Sequence, residues 1–295
     1  MKIPALFLSA SILLFALFVH GQDPDAIAKK RDLADSLRYE KGEITLRGGL
    51  AKIHVPSGFR YLDSADAGTV LEKIWGNPPN SNTLGMLVPA DLSVASPDGW
   101  AVIITYADDG YVKDDEAATM NYDKLLKQMQ DATTQANEKR KKEGYAPIEL
   151  VGWASPPRYD KATHKMYWAK EYKFGDSPDN TLNYNIRILG RRGVLVLNAV
   201  APMNQLREIE AVTPQIISMV DFQEGHRYVD FNKSTDKVAT YGLIGLVAGG
   251  LAAKAGFFKL LIPALLAAKK FIIIGIAALG ASIKKLFGKK TPEIR

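Results

Sequence analysis

Two long apolar runs, one at each end of the chain, decide which part can fold as a water-soluble body. The first, Ile3 to Val19, follows Met1-Lys2 and gives way to His20-Gly21-Gln22-Asp23. A short basic start, an apolar stretch and small residues before a polar segment are the parts of a signal peptide. Val19 and Gly21 fall at −3 and −1 of a cut before Gln22, so residues 1–21 read as the signal segment. An uncleaved anchor is the alternative, since the run nearly reaches the roughly 20 residues that a span needs.

The second run extends from Tyr241 to Ile283, broken by Lys254, Lys259, Lys269 and Lys270, and ends in Lys284-Lys285-Leu286-Phe287-Gly288-Lys289-Lys290. Residues 241–268 are long enough for one tilted transmembrane helix. A lysine at mid-bilayer costs at least about 2.5 kcal/mol, so Lys254 and Lys259 must snorkel, pair or face another helix. Residues 269–295 then form a second short apolar helix with a basic tail. The pattern fits either one span followed by an interfacial helix or a two-helix hairpin, and lysine placement favours the first. Gly245, Gly249 and Ala253 put small residues on one helix face, which predicts helix packing in lipid and a homo-oligomer through the anchor.

The net charge of +6 belongs to this tail. From Tyr241 onward nine Lys/Arg face Glu293 alone, while residues 22–240 are acidic by three. The basicity therefore reports membrane flanks, and no nucleic-acid partner is expected. With no cysteine, disulfides and thiolate chemistry are excluded.

Residues 22–232 read as one extracytoplasmic domain, with 233–240 as a juxtamembrane linker. Helices are expected over Asp25–Tyr39, from Ser64 to Trp75, over Asn121–Glu143, and over Asn204–Met219 with a kink or restart at Pro214. Strands are expected at Glu43–Leu46, Ala51–Val55, Leu84–Val88, Trp100–Ala107, Ile148–Trp153, His164–Phe174, Thr181–Leu189 and Val194–Val200. Leu182, Tyr184, Ile186 and Ile188 alternate with Thr181, Asn183, Asn185 and Arg187, which predicts one buried face. The order gives an α+β fold, a largely antiparallel sheet covered by helices, plus the C-terminal transmembrane helix or helices.

Chemistry is sparse. No HExxH, GxSxG or P-loop occurs, and neither cofactor nor metal is expected. Aligning Gly110 to the turn of a calcium loop puts Thr105 and Ala107 where carboxylates are required. His226 lies among Asp221, Glu224 and Asp230, so a general base with carboxylate partners is one reading. A segment that sets the domain against the membrane is the other. Trp75-Gly76-Asn77-Pro78-Pro79 and Trp153-Ala154-Ser155-Pro156-Pro157-Arg158-Tyr159-Asp160 join aromatics to paired prolines, as rigid binding loops do, although both tryptophans also suit core-capping positions.

These stretches, with Asp108-Asp109-Gly110-Tyr111-Val112, Leu182–Arg187, Gly190–Asn198 and Glu224–Tyr228, resemble an uncharacterised bacterial family, domain-of-unknown-function family 2167. Its members are described as predicted membrane-anchored proteins. The resemblance spans Gly42 to Lys290 and implies a signal-plus-anchor layout at the inner membrane, with the main domain outside. It offers no catalytic residues to carry over. Val55-Pro56-Ser57-Gly58-Phe59, a long hairpin and a closing helix are also similar to photosystem-P-like periplasmic domains, which implies a helix-covered antiparallel sheet.

The leading expectation is a non-catalytic binding or assembly module of the bacterial envelope. Trp153, Arg158, Tyr159, His226 and Arg227 are its candidate contacts to an unknown envelope protein or component, and the lipid bilayer is its second partner. The alternatives are an envelope hydrolase using His226 with Glu224 or Asp230, and a self-associating membrane-active tail.

Overall fold

The computed structural model describes residues 24–77, 82–117, 120–142 and 144–249. The signal segment and everything beyond 249, including Ala253 and most of the expected anchor, lie outside them. Among the described residues no helix is long and apolar enough to cross a membrane.

Ten strands and five α-helices make up the body among the described residues. The strands are β1 Gly42–Leu46, β2 Ala51–Val55, β3 Phe59–Asp63, β4 Thr83–Pro89, β5 Ala101–Ala107, β6 Ile148–Asp160, β7 Lys165–Phe174, β8 Thr181–Leu189, β9 Val194–Pro202 and β10 Val220–Phe222. The helices are α1 Pro24–Asp35, α2 Ser64–Thr69 running on into a π turn at Val70–Ile74, α3 Tyr122–Lys142, α4 Leu206–Ser218 and α5 Leu243–Ala248. An all-antiparallel sheet of seven strands has the order β3-β4-β5-β9-β8-β7-β6, and a second sheet of three has the order β1-β2-β10. The expected α+β fold with helix-covered antiparallel strands is what forms.

The period-2 pattern of β8 explains the layering. Leu182, Tyr184, Ile186 and Ile188 join a core with β1, β2 and β10 and with Ile209 and Ile216 of α4. The opposite face carries two further cores. One lies under α1 and α2, and the other under α3 and α5. Both faces of β8 are therefore buried, and Asn183 and Asn185 are 9% and 4% exposed. Polar residues in the alternating register do not mark a wet face here, because helices cover that side too.

Two local expectations change. β6 runs straight through Ser155-Pro156-Pro157 instead of stopping at Trp153. Proline cannot donate to a ladder, but β6 is an edge strand and its register shifts between Ser155 and Arg158, which is where prolines are tolerated. Helix α4 also continues through Pro214.

The folded body reaches past 232 to Ala248. Tyr241, Leu243, Leu246 and Val247 are buried with Leu125, Met129 and Trp168. Glu116 Oε1 accepts the Ile244 N–H at 2.7 Å, and Lys170 Nζ donates to Val247 O at 3.4 Å, tying both ends of α5. Gly245 lies in this core, where a Cβ would come 2.6 Å from Tyr241 Cβ. Its missing side chain serves packing within the domain, because an apolar run reads alike whether protein or lipid covers it.

Candidate functional site

The antiparallel register aligns five strand ends. Ala107 of β5 pairs with Val194 of β9, Val194 with Leu189 of β8, Ile188 with Lys165 of β7, and Lys165 with Asp160 of β6. Two long segments, 108–117 and 223–241, cross this end. Gly110 N–H donates to Arg192 O at 3.0 Å, Tyr111 N–H to Lys237 O at 2.8 Å, and Arg191 N–H to His226 O at 2.9 Å. Gly110 has φ +101°, and a Cβ there would meet Lys237 O at 2.6 Å, so the crossing requires glycine.

Aromatic rings seal the crossing. Phe231 stacks on Tyr111 at 3.9 Å, Tyr111 on Tyr228 at 4.4 Å, and His164 packs on Tyr228 at 4.1 Å. Tyr159 Oη donates to Asp114 Oδ2 at 2.7 Å and lies 3.2 Å from His164 Nδ1. Burial, and then the Asp114 hydrogen bond, push the Tyr159 hydroxyl far above its ordinary range, so it stays protonated. His164 itself sits at φ +54° in the β6–β7 turn. This Asp–Tyr–His group fastens segment 108–117 to the hairpin.

Two arginine–carboxylate brackets close the remaining loops. Asp236 accepts from Arg191 Nε at 2.6 Å and from Arg192 Nε at 3.1 Å. Asp230 receives both ends of the Arg227 guanidinium at 3.0 and 2.9 Å, plus the Gly225 and Arg227 N–H groups. Hydrogen bonds from these arginines hold both carboxyls well below the usual carboxylate range.

Between the brackets lies a shallow cleft. One cavity of about 240 Å³ is lined by Arg47, Gly48, Leu50, Tyr106, Asp108, Arg192 and His226. An adjoining cavity of about 230 Å³ shares Asp108 and Arg192 and adds Gly110, Thr235, Asp236 and Lys237.

The structure distributes the sequence candidates unevenly. His226 lines the cleft, and its imidazole makes no hydrogen bond or ion pair among the described residues. Its expected carboxylate partners are engaged elsewhere, Asp221 with Lys165 at 3.0 Å and Asp230 with Arg227. Glu224 makes no hydrogen bond or ion pair among the described residues. Arg158 is exposed on β6, away from the cleft lining. Trp153 packs against the α3 core and donates Nε1 to Tyr122 O at 3.3 Å. Arg47 and Tyr106 carried no motif, and Asp108 and Arg192 entered only within the stretches that carry the family resemblance. Their one local signal is glycine-rich turn chemistry, in Arg47-Gly48-Gly49 and Gly190-Arg191-Arg192-Gly193.

Four of the stretches that carry the family resemblance meet at this end: Asp108–Val112, Arg158–Asp160, Gly190–Val194 and Glu224–Tyr228. Fold and site define an α+β module with a loop-built polar cleft at one end of its main sheet. The chain belongs to the family described as "Protein of unknown function (DUF2167)", whose model matches residues 38–280. No curated protein matches the chain. Among solved structures it is similar to the cyanobacterial PsbP protein CyanoP of Synechocystis sp. PCC 6803, at 10% identity over 61% of this chain and 91% of that one, with TM-score 0.34. It is also similar to the Ran-binding protein Mog1p of Saccharomyces cerevisiae, at 12% identity over 63% of this chain and 96% of that one, with TM-score 0.34. At that score neither likeness bears on function.

Proposed function

We propose that the protein is a non-catalytic binding or assembly module of the bacterial envelope. In this reading the N-terminal apolar segment exports it, and the segment after residue 249 holds it at the outer face of the inner membrane. The working surface is the loop-covered end of the seven-stranded sheet. One observation carries the non-catalytic part: no carboxylate hydrogen-bonds to the His226 imidazole among the described residues, and Asp221 and Asp230 are spent on Lys165 and Arg227. A histidine without such a partner serves binding better than proton transfer.

Site-specific photo-crosslinking in the native host tests this. Probes at Arg192 and His226 should trap a macromolecular partner, whereas a probe at Glu210 on the exposed side of α4 should not. Equal trapping at all three, or at none, overturns the assignment. Ester or phosphate hydrolysis by the purified chain that disappears in His226→Ala would establish the hydrolase instead. Replacing residues 250–295 with an unrelated membrane span should preserve trapping; its loss would make the tail the working part.

A further inference from the structure

We propose that the cleft beside His226 binds a singly charged oxyanion, a phosphate diester or a carboxylate, between Arg47, Arg192 and His226. The proposal rests on the binding-module reading and gives its cleft a ligand class.

Four cationic or donor groups line the 240 Å³ cavity with hydrogen-bonding capacity unspent. The Arg47 guanidinium lies 4.9 Å from the Tyr106 ring centroid and makes no hydrogen bond or ion pair among the described residues. Arg192 uses Nε on Asp236, and its side chain is 55% exposed, so the terminal nitrogens stay available. The His226 imidazole is unpaired. Tyr106 keeps its hydroxyl proton, because burial and then the Asp108 charge push it up to about 12. Guanidinium groups bind phosphate and carboxylate oxygens in pairs, and with Asp108 the one carboxylate lining this cavity, donor capacity remains for an oxyanion.

The backbone adds a second observation. Arg47 is one of two non-glycine residues with positive φ among the described residues, at +43°. A β-carbon in that region is strained, and nothing in the local packing rewards an arginine there beyond its stacking on Tyr106. Such strain is retained where the side chain has work at a site.

Size and charge narrow the ligand. Pockets for whole drug-sized molecules run from about 300 to 1,000 Å³, so about 240 Å³ holds a headgroup rather than an entire ligand. Asp108 lines both cavities and has no hydrogen-bond or ion-pair partner among the described residues. Its charge offsets one of the two arginines that line the larger cavity, so the lining favours a single anionic group over a pyrophosphate.

The test uses the full-length chain in neutral detergent, titrated calorimetrically with glycerophosphoglycerol and with acetate. Saturable binding of at least one is expected, weakened at least tenfold in Arg47→Gly and in Arg192→Gln. Arg38→Gln should leave it unchanged, because that side chain pairs with Asp63 and Asp66 and lines neither cavity. Arg47→Gly relieves the positive φ, so lost binding with an unchanged or raised Tm is a binding effect and not unfolding. Vesicles of phosphatidylglycerol, set against phosphatidylcholine alone, identify the source. Arg47-dependent capture by the former means a lipid headgroup, and binding of the soluble probe alone means a free metabolite. Absent binding, or affinities unchanged in both Arg47→Gly and Arg192→Gln, overturns the proposal. Crosslinks from His226 that persist in that case leave the binding-module reading standing, whereas oxyanion binding without crosslinks overturns only the macromolecular partner.

Discussion

The loop-covered end and the helix-covered face treat charge in opposite ways. At the end, Asp236 and Asp230 each meet arginine, the first covered and the second near the surface. On the face under α3 and α5, Lys170 is 8% exposed, and Arg187 contributes a second cation nearby. No described carboxylate meets either one. Arg187 donates to Ile186 O and Asn185 Oδ1, Lys170 donates to Val247 O at 3.4 Å, and Trp168 Nε1 is buried with no hydrogen-bond partner among the described residues. Burial, then the Arg187 charge, brings the Lys170 amine down to about 7. The contrast separates satisfied charge from unsatisfied charge: carboxylates that meet arginine shape the loops, while a buried amine with no counter-charge costs stability and answers to pH.

Lys170→Met should break the comparison most strongly. Unfolded, this amine keeps its proton up to about 10.5, and folded only up to about 7. Between those values the unfolded chain holds the extra proton, so stability rises with pH by at most about 1.4 kcal/mol per unit, and below 7 this slope vanishes. Urea unfolding from pH 6 to 9 should show the rise in the wild type and lose it in Lys170→Met. At pH 6 the variant should be more stable by about 1–4 kcal/mol, the range found when buried charges give way to hydrophobic residues.

Asp236→Ala should cost about 2–3 kcal/mol, since the carboxylate is 1% exposed and serves both arginines and the Asn232 N–H. A loss below about 1 kcal/mol would place this bracket with ordinary surface pairs. Arg47→Gly should raise stability by up to about 1 kcal/mol through relief of its positive φ, read as a small increase in Tm. Arg227→Gln should change stability by less than about 1 kcal/mol, because that arginine is 49% exposed and its partner is three residues away.

Much of the sheet was legible because its signals are local. The alternation in Thr181–Leu189 and the turn at Gly190–Gly193 specify the β8–β9 hairpin within a short window. The π turn after α2 and the edge position of β6 depend on neighbours distant in sequence, so Pro156-Pro157 read as a loop. The packing of residues beyond 232 was hidden for a different reason. Tyr241, Leu243 and Val247 look like the start of a span by hydropathy, and only long-range packing on Leu125 and Trp168 assigns them to the body. The cleft was least legible. Arg47, Tyr106, Arg192 and His226 come from four separate turns or strand ends, and each is unremarkable in its own window. Of these only His226 stood out, because carboxylates surround it in sequence, and those carboxylates turn elsewhere in space.

The fastening of α5 at both ends has a mechanical consequence. A conventional tether joins a domain through slack chain that stretches before it transmits load. Here Glu116 grips the first turn of α5 and Lys170 its last, with Leu243, Leu246 and Val247 wedged beneath. A pull applied at the end of α5 therefore reaches strand β7 directly at Val247, through Lys170, and the main sheet bears it without an intervening spring.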